Sequence, residues 1–212
     1  AGNWRCAAYQ RAKSFFVSTA QTITAAAQVV IAHGLGQIPD YLVVESTYGD
    51  RLHPVIKERE KEFARIINEN YKKGGKLMIP SFAVERTQEL LFCIGKFMEE
   101  GIIPKMDVYL DSPMAMKATE VFSKYSKYYN ENLLKGLKTK KDVFDFPGLV
   151  YTRTVDESKA LNDIDKPCII IAGNGMCSAG RIKHHIRNSI NNPKNTLLFV
   201  GFQAEGTLGY WL

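Results

Sequence analysis

From residue 40 onward the chain repeats one phrase: a short apolar run rich in β-branched residues, a loop with Gly, Pro or Ser, then an amphipathic stretch of helical length. The apolar runs predict strands at 41–45, 77–79, 108–110, 148–151, 168–171 and 196–200. They lack polar alternation, which is the pattern of strands covered on both faces. Between them, residues 54–73 place Val55, Ile56, Phe63, Ile66 and Ile67 on one side of a helix and alternating Lys, Arg and Glu on the other. Residues 84–100 do the same with Leu90, Leu91, Ile94, Phe97 and Met98. Ser112 followed by Pro113 is a helix start, a capping hydroxyl before a proline at the first helical position. A last helix is expected over 178–190, ended by Asn191, Asn192 and Pro193. Strand, helix, strand in this order predicts an α/β fold with a mostly parallel sheet flanked by helices.

Residues 1–39 read differently, being rich in Ala, Thr, Gln and Ser, with weak alternation over 15–22, an apolar run over 28–32 and a turn at Gly34, Gly36 and Pro39. A hairpin-like appendage is expected there, so the organisation is a 1–39 segment of unclear origin and a 40–212 domain. A Lys-rich patch follows the third strand and its helix, at Lys135, Lys138, Lys140 and Lys141.

Composition adds little to the fold and something to the partners. The 212 residues are 45% hydrophobic and 24% charged, which excludes disordered and disulfide-dense classes. A net charge of +6 is compatible with a polyanionic partner. Cys6, Cys93, Cys168 and Cys177 form no CxxC pair, and unpaired thiols in an intracellular, cytoplasmic chain account for them. The longest apolar stretch, 15–32, is broken by Ser, Thr and Gln, so neither a membrane span nor a signal peptide is expected.

In an open α/β sheet ligands collect beyond the carboxyl ends of the strands, and the unusual residues of this chain fall there. Glu45 and Asp111 each end a strand as a carboxylate. Each either orients a metal ligand or basic group across the crevice, or caps the following backbone and pairs with a neighbouring Arg. The glycine-rich stretch 173–180 before the last helix is either an anion-binding loop or a plain tight turn. It is not a dinucleotide fingerprint, because Ser178 stands where Gly or Ala is required and no acid follows the sixth strand. The histidines, His33, His53, His184 and His185, show no HxH, HxxxH or HxxE spacing. Adjacent on a helix, His184 and His185 point roughly 100° apart and do not chelate one ion. Asp50 and His53 share a loop as turn residues. Cys177 near a helix N-terminus is either a thiol of lowered pKa or a buried small side chain.

Five loop phrases, taken together and in order, resemble one family. They are Leu42-Val-Val-Glu-Ser-Thr-Tyr-Gly-Asp-Arg51, Pro80-Ser-Phe-Ala-Val-Glu-Arg-Thr-Gln-Glu-Leu90, Leu110-Asp-Ser-Pro-Met-Ala115, Ile171-Ala-Gly-Asn-Gly-Met-Cys-Ser-Ala-Gly-Arg181 and Phe199-Val-Gly-Phe-Gln-Ala-Glu-Gly-Thr-Leu-Gly209. The family is that of the β-CASP metallo-β-lactamase hydrolases, RNA-processing nucleases akin to the polyadenylation-factor endonuclease. The resemblance implies a Rossmann-like β-CASP domain that walls an RNA channel over a metallo-β-lactamase core. It implies that Glu45 is the family's acidic motif A, accepting a hydrogen bond from a histidine of that core. It implies single-stranded RNA as partner, with Arg51, Arg86, Ser112, Gly173, Asn174, Gly175, Ser178, Arg181 and Lys183 as the RNA-contacting candidates. Zinc is the cofactor of the complete family enzyme. The family's HxHxDH segment does not occur in this sequence, so the expectation is a β-CASP module inactive alone and binding no zinc by itself. A non-catalytic RNA-binding or dimerisation module, working as a homodimer, is the alternative reading.

Overall fold

The computed structural model describes residues 14–17, 41–44, 47, 56–129 and 142–212. Glu45, Arg51, Asp50, His33, His53, Cys6 and the lysines at 135–141 lie outside the described residues. Two compact units are present, Ala1–Val55 and Ile56–Leu212.

In the first unit, β1 (Ser14–Val17) pairs with β2 (Tyr41–Val44) in a separate two-stranded sheet. The register is parallel, Ser14 opposite Tyr41 and Val17 opposite Val44. The expected hairpin-like appendage over 1–39 lies, apart from 14–17, outside the described residues. The expected 41–45 strand is found as β2, Tyr41–Val44.

The second unit is a five-stranded, all-parallel sheet. Its strands are β3 (Lys76–Pro80), β4 (Asp107–Asp111), β5 (Leu149–Tyr151), β6 (Cys168–Ala172) and β7 (Thr196–Leu197), in the order β5-β4-β6-β3-β7. The described residues of this unit hold six helices, α1 (Ile56–Lys73), α2 (Arg86–Glu99), α3 (Pro113–Lys124), α4 (Val155–Ala160), α5 (Ile182–Ser189) and α6 (Leu208–Trp211). The α/β class is as the sequence predicts, and each β-run of the second unit is found within two residues of its expected start. The last run is shorter, Thr196–Leu197 rather than 196–200.

Pleating divides the apolar runs between two cores. Leu77, Ile79, Val108, Leu110, Ile169 and Ile171 face one cluster with Leu90, Leu91, Ile94, Phe97 and Met98 of α2 and Ile67 of α1. The alternate residues face the other side: Met78 and Ala172 meet Ile182 and Ile186 of α5, and Ile170 meets Leu161. This is why the strands read as continuous apolar runs. On the outer side of α1, Arg65 pairs with Glu62 at 2.8 Å and with Glu69.

Three helices depart from expectation, one of them α6 (Leu208–Trp211), which the pattern does not predict. The last long helix begins at Ile182 rather than 178, because residues 178–181 turn back onto Gly173. Helix α4 was not foreseen, although Thr154 and Glu157 form a capping box, each side chain accepting from the other's backbone N–H. Among the described residues no helix is long and apolar enough to cross a membrane.

Candidate functional site at the carboxyl edge of the sheet

Because β4, β6 and β3 lie side by side and parallel, the loops that follow them emerge next to one another. The amide of Ser81 continues the ladder past β3 by donating to the Ala172 carbonyl at 3.0 Å. Thr87 at the start of α2 then donates to Phe82 O at 2.7 Å and to Ser81 Oγ at 3.0 Å, closing that loop. After β4, Ser112 caps α3 as predicted, its Oγ accepting from Ala115 N at 3.4 Å. After β5 come Thr152 and Arg153, and after β6 the 173–181 loop.

One carboxylate ties these ends together. Asp111, the last residue of β4, is 0% exposed. Its Oδ1 accepts from Arg181 Nη1 at 2.6 Å. Its Oδ2 accepts from Ser158 Oγ in the first turns of α4 and from His185 Nε2 in α5, each at 2.6 Å. Burial alone pushes the Asp111 carboxyl up, but the hydrogen bonds from His185, Ser158 and Arg181 outweigh it and hold the group below the usual carboxylate range. The carboxylate is thus ionised and accepts only, so Nε2 of His185 carries the shared proton. Arg181 reaches further, donating through Nη1 to Thr152 O at 2.9 Å and through Nη2 to Arg153 O at 3.3 Å. The guanidinium therefore joins the ends of β4 and β5 to the loop after β6.

Of the two readings open for Asp111, pairing with an arginine is the one observed, together with a histidine that pattern reading missed. The signal for His185 was present. Ile182, His185, Ile186 and Ser189 are buried at helical spacing, so His185 sits on the apolar stripe of α5 while His184 faces solvent.

The 173–181 loop is knitted to itself. Ile182 N donates to Gly173 O at 3.1 Å, Asn174 N to Ala179 O at 3.1 Å and Ser178 N to the Asn174 side-chain oxygen at 3.0 Å. Lys183 N and His184 N donate to the carbonyls of Gly180 and Arg181. The first amides of α5 are engaged by the loop's own carbonyls, the arrangement of a tight turn. Gly180 is required where it stands: its φ is +79°, and a Cβ there would lie 2.2 Å from Gly173 O. Gly175 packs under the Phe82 ring, where a Cβ would come within 2.8 Å. The C-terminal segment closes over the loop, Gln203 Nε2 donating to Gly175 O at 2.9 Å and Gly209 N to Met176 O at 3.1 Å.

The sequence-derived candidates occupy different surroundings at this edge. Arg86 pairs with Glu89 one turn on. Ser112 is buried as a cap, and Gly173, Asn174 and Gly175 are buried or half-buried in the turn. Ser178 and Lys183 are exposed, as is Arg187 one turn beyond Lys183. Cys177, 0% exposed, has its thiol pushed up to about 11 by burial, so the lowered-pKa reading is overturned and the buried small side chain is what is found. Cys93 and Cys168 are likewise unpaired. Among the described residues no group of three or more His, Cys, Asp or Glu side chains is placed to hold a metal ion.

A Beta-Casp domain model matches residues 87–212. Ribonuclease TTHA0252 of Thermus thermophilus is 37% identical over 175 residues, covering 82% of this chain and 40% of its own. Transcription termination factor FttA of Methanocaldococcus jannaschii is 36% identical over 172 residues, 79% of this chain and 27% of its own. Endoribonuclease YSH1 of Yarrowia lipolytica is 31% identical over 172 residues, 80% of this chain and 20% of its own. The chain spans less than half the length of each of these relatives.

Proposed function

The chain belongs to the Beta-Casp family, and on that premise we propose that it is the β-CASP portion of a metal-dependent RNA hydrolase, supplying one wall of an RNA channel. The observation that carries this reading is the convergence of the loops after β3, β4, β5 and β6 on one edge, the last three joined there by Asp111 and Arg181. Such a wall needs a rigid backbone more than it needs reactive groups, and cations that meet phosphate without sequence preference. Lys183 and Arg187, exposed on α5, meet phosphates directly, and Ser178 offers its hydroxyl from the exposed part of the turn. Arg86 contributes from the first turn of α2, in exchange with Glu89. Arg181 acts one step back, holding the loop that presents Gly173, Asn174 and Gly175, with Ser112 fixing the neighbouring helix. Arg51 and Glu45, after β2, complete the reading: Arg51 as a further phosphate contact, Glu45 as the acid that orients a histidine of a metallo-β-lactamase core.

Zinc, in enzymes of this class, activates the attacking water. The described residues do not fit such an ion: both oxygens of Asp111 are already engaged by Arg181, Ser158 and His185, and no third ligand joins them. The part of the reaction assigned to this chain is binding and orientation of the strand.

A salt titration tests the reading. Single-stranded RNA should bind with log affinity falling linearly in log salt, by about 0.7 per phosphate contacted, and Lys183→Ala should lower the slope by about one contact without changing the melting temperature. Absence of binding at ~50 mM salt, or an unchanged slope in Lys183→Ala, would sink it.

A further inference from the structure

Helix α3 leads away from the candidate site to a second cluster of unusual residues. From its cap at Ser112 its 12 residues run about 18 Å along the helix axis, and the chain continues into a short 3₁₀ turn, Ser126–Tyr128. Tyr129 faces inward there, its hydroxyl donating to Phe122 O at 2.8 Å and its ring set edge-on to Phe144 at 6.1 Å. That anchor directs the two preceding tyrosines outward. Tyr125 is 47% exposed and Tyr128 75%. Their ring centroids are 6.4 Å apart with planes 35° from parallel. Lys124 Nζ lies 5.9 Å from the Tyr125 centroid, and Lys127 Nζ lies 5.0 Å from that of Tyr128.

Aromatic rings left in water forgo the gain their burial would bring, and two side by side, each with an ammonium over it, form a surface of stated chemistry. It favours a partner that is both planar and anionic. The charge argues against a second copy of this chain: a two-fold contact would set Lys117, Lys124 and Lys127 against themselves with only Glu120 between them. The geometry points to Tyr125 and Tyr128, flanked by Lys124 and Lys127, as a stacking platform for bases of single-stranded RNA, a contact separate from the strand-end loops. The inference rests on the RNA reading above and adds to it a place where the same strand is gripped through its bases rather than its phosphates.

Fluorescence anisotropy on the whole chain separates the two claims. Three labelled probes are used, a 12-nucleotide oligoadenylate, an abasic strand of equal length and poly-glutamate, with vesicles of anionic lipid as a fourth. Tyr125→Ala with Tyr128→Ala should weaken oligoadenylate binding by about 5-fold or more, leave its salt slope unchanged and leave abasic binding as in the wild type. Lys124→Gln with Lys127→Gln should lower the salt slope on both strands. Both tyrosines are exposed, so the melting temperature serves as a control and should not move. Wild-type affinity for oligoadenylate in the tyrosine variant overturns the platform and leaves the RNA reading standing. Failure of the wild type to bind any strand overturns both. Loss of poly-glutamate or vesicle binding greater than the loss of oligoadenylate assigns the patch to a protein or a membrane and overturns the platform.

Discussion

Replacing Asp111 by asparagine keeps the side chain's size and removes its charge. In the wild type three donors converge on a carboxylate that is fully buried: Arg181 Nη1, Ser158 Oγ and His185 Nε2, each at 2.6 Å. An amide offers one acceptor oxygen, and its NH₂ faces donors. Removing one partner from a buried pair costs roughly 3–5 kcal/mol. The exposed part of Arg181 takes up water in the variant, so the lower end, about 3 kcal/mol, is expected. For a chain of this size that corresponds to a fall of about 6–12 °C in melting temperature. Urea unfolding at pH 7 followed by circular dichroism measures it. The pH dependence sharpens the test. The folded-state pKa of Asp111 lies below its unfolded value of about 3.9, so its contribution is fully present above that value and is lost as pH falls through the folded pKa. The gap between wild type and Asp111→Asn should narrow below about pH 4. A variant within about 0.5 kcal/mol of the wild type at pH 7, or a gap that does not narrow on acidification, would refute the role given to this carboxylate.

Gly180→Ala forces a side chain onto a φ of +79° and to 2.2 Å from Gly173 O; a loss of at least ~2 kcal/mol is expected in the same unfolding assay. Arg181→Ala should both destabilise the fold and weaken RNA binding, whereas Lys183→Ala should do only the second, which a paired melting and binding measurement resolves. The thiols of Cys168 and Cys177, both pushed up to about 11 by burial, should react with a thiol reagent at pH 8 only after denaturation; stoichiometric modification of the native chain at mixing times would contradict their burial. In a full-length enzyme carrying this segment, Glu45→Gln should lower RNA cleavage by about 10- to 100-fold with the melting temperature nearly unchanged.

The sequence carried the sheet because strands buried on both faces must be apolar at every position, and Leu77, Met78 and Ile79 or Ile169, Ile170 and Ile171 leave no other reading. It carried the cap at Ser112 for an equally local reason. What it did not carry were pairings between distant positions. His185 meets Asp111 across 74 residues, and nothing in the spacing of the histidines encodes that. The start of α5 was misplaced because Ser178 and Ala179 suit a helix or a turn, and the choice is made by Gly180 closing onto Gly173. The parallel pairing of β1 with β2 was missed because weak alternation specifies a strand and not its neighbour.

The central claim is that the carboxyl edge of the sheet is the face that meets RNA. Photo-crosslinking a single-stranded RNA with 4-thiouridine along its length, followed by mass spectrometry of the adducts, tests it most directly. Adducts in 81–86, 112–117 and 173–187 are predicted, with further adducts at 124–128 where the stacking platform is engaged. Adducts confined to the opposite edge, around Gly74, Lys76, Lys166 and Asn195, would contradict the account.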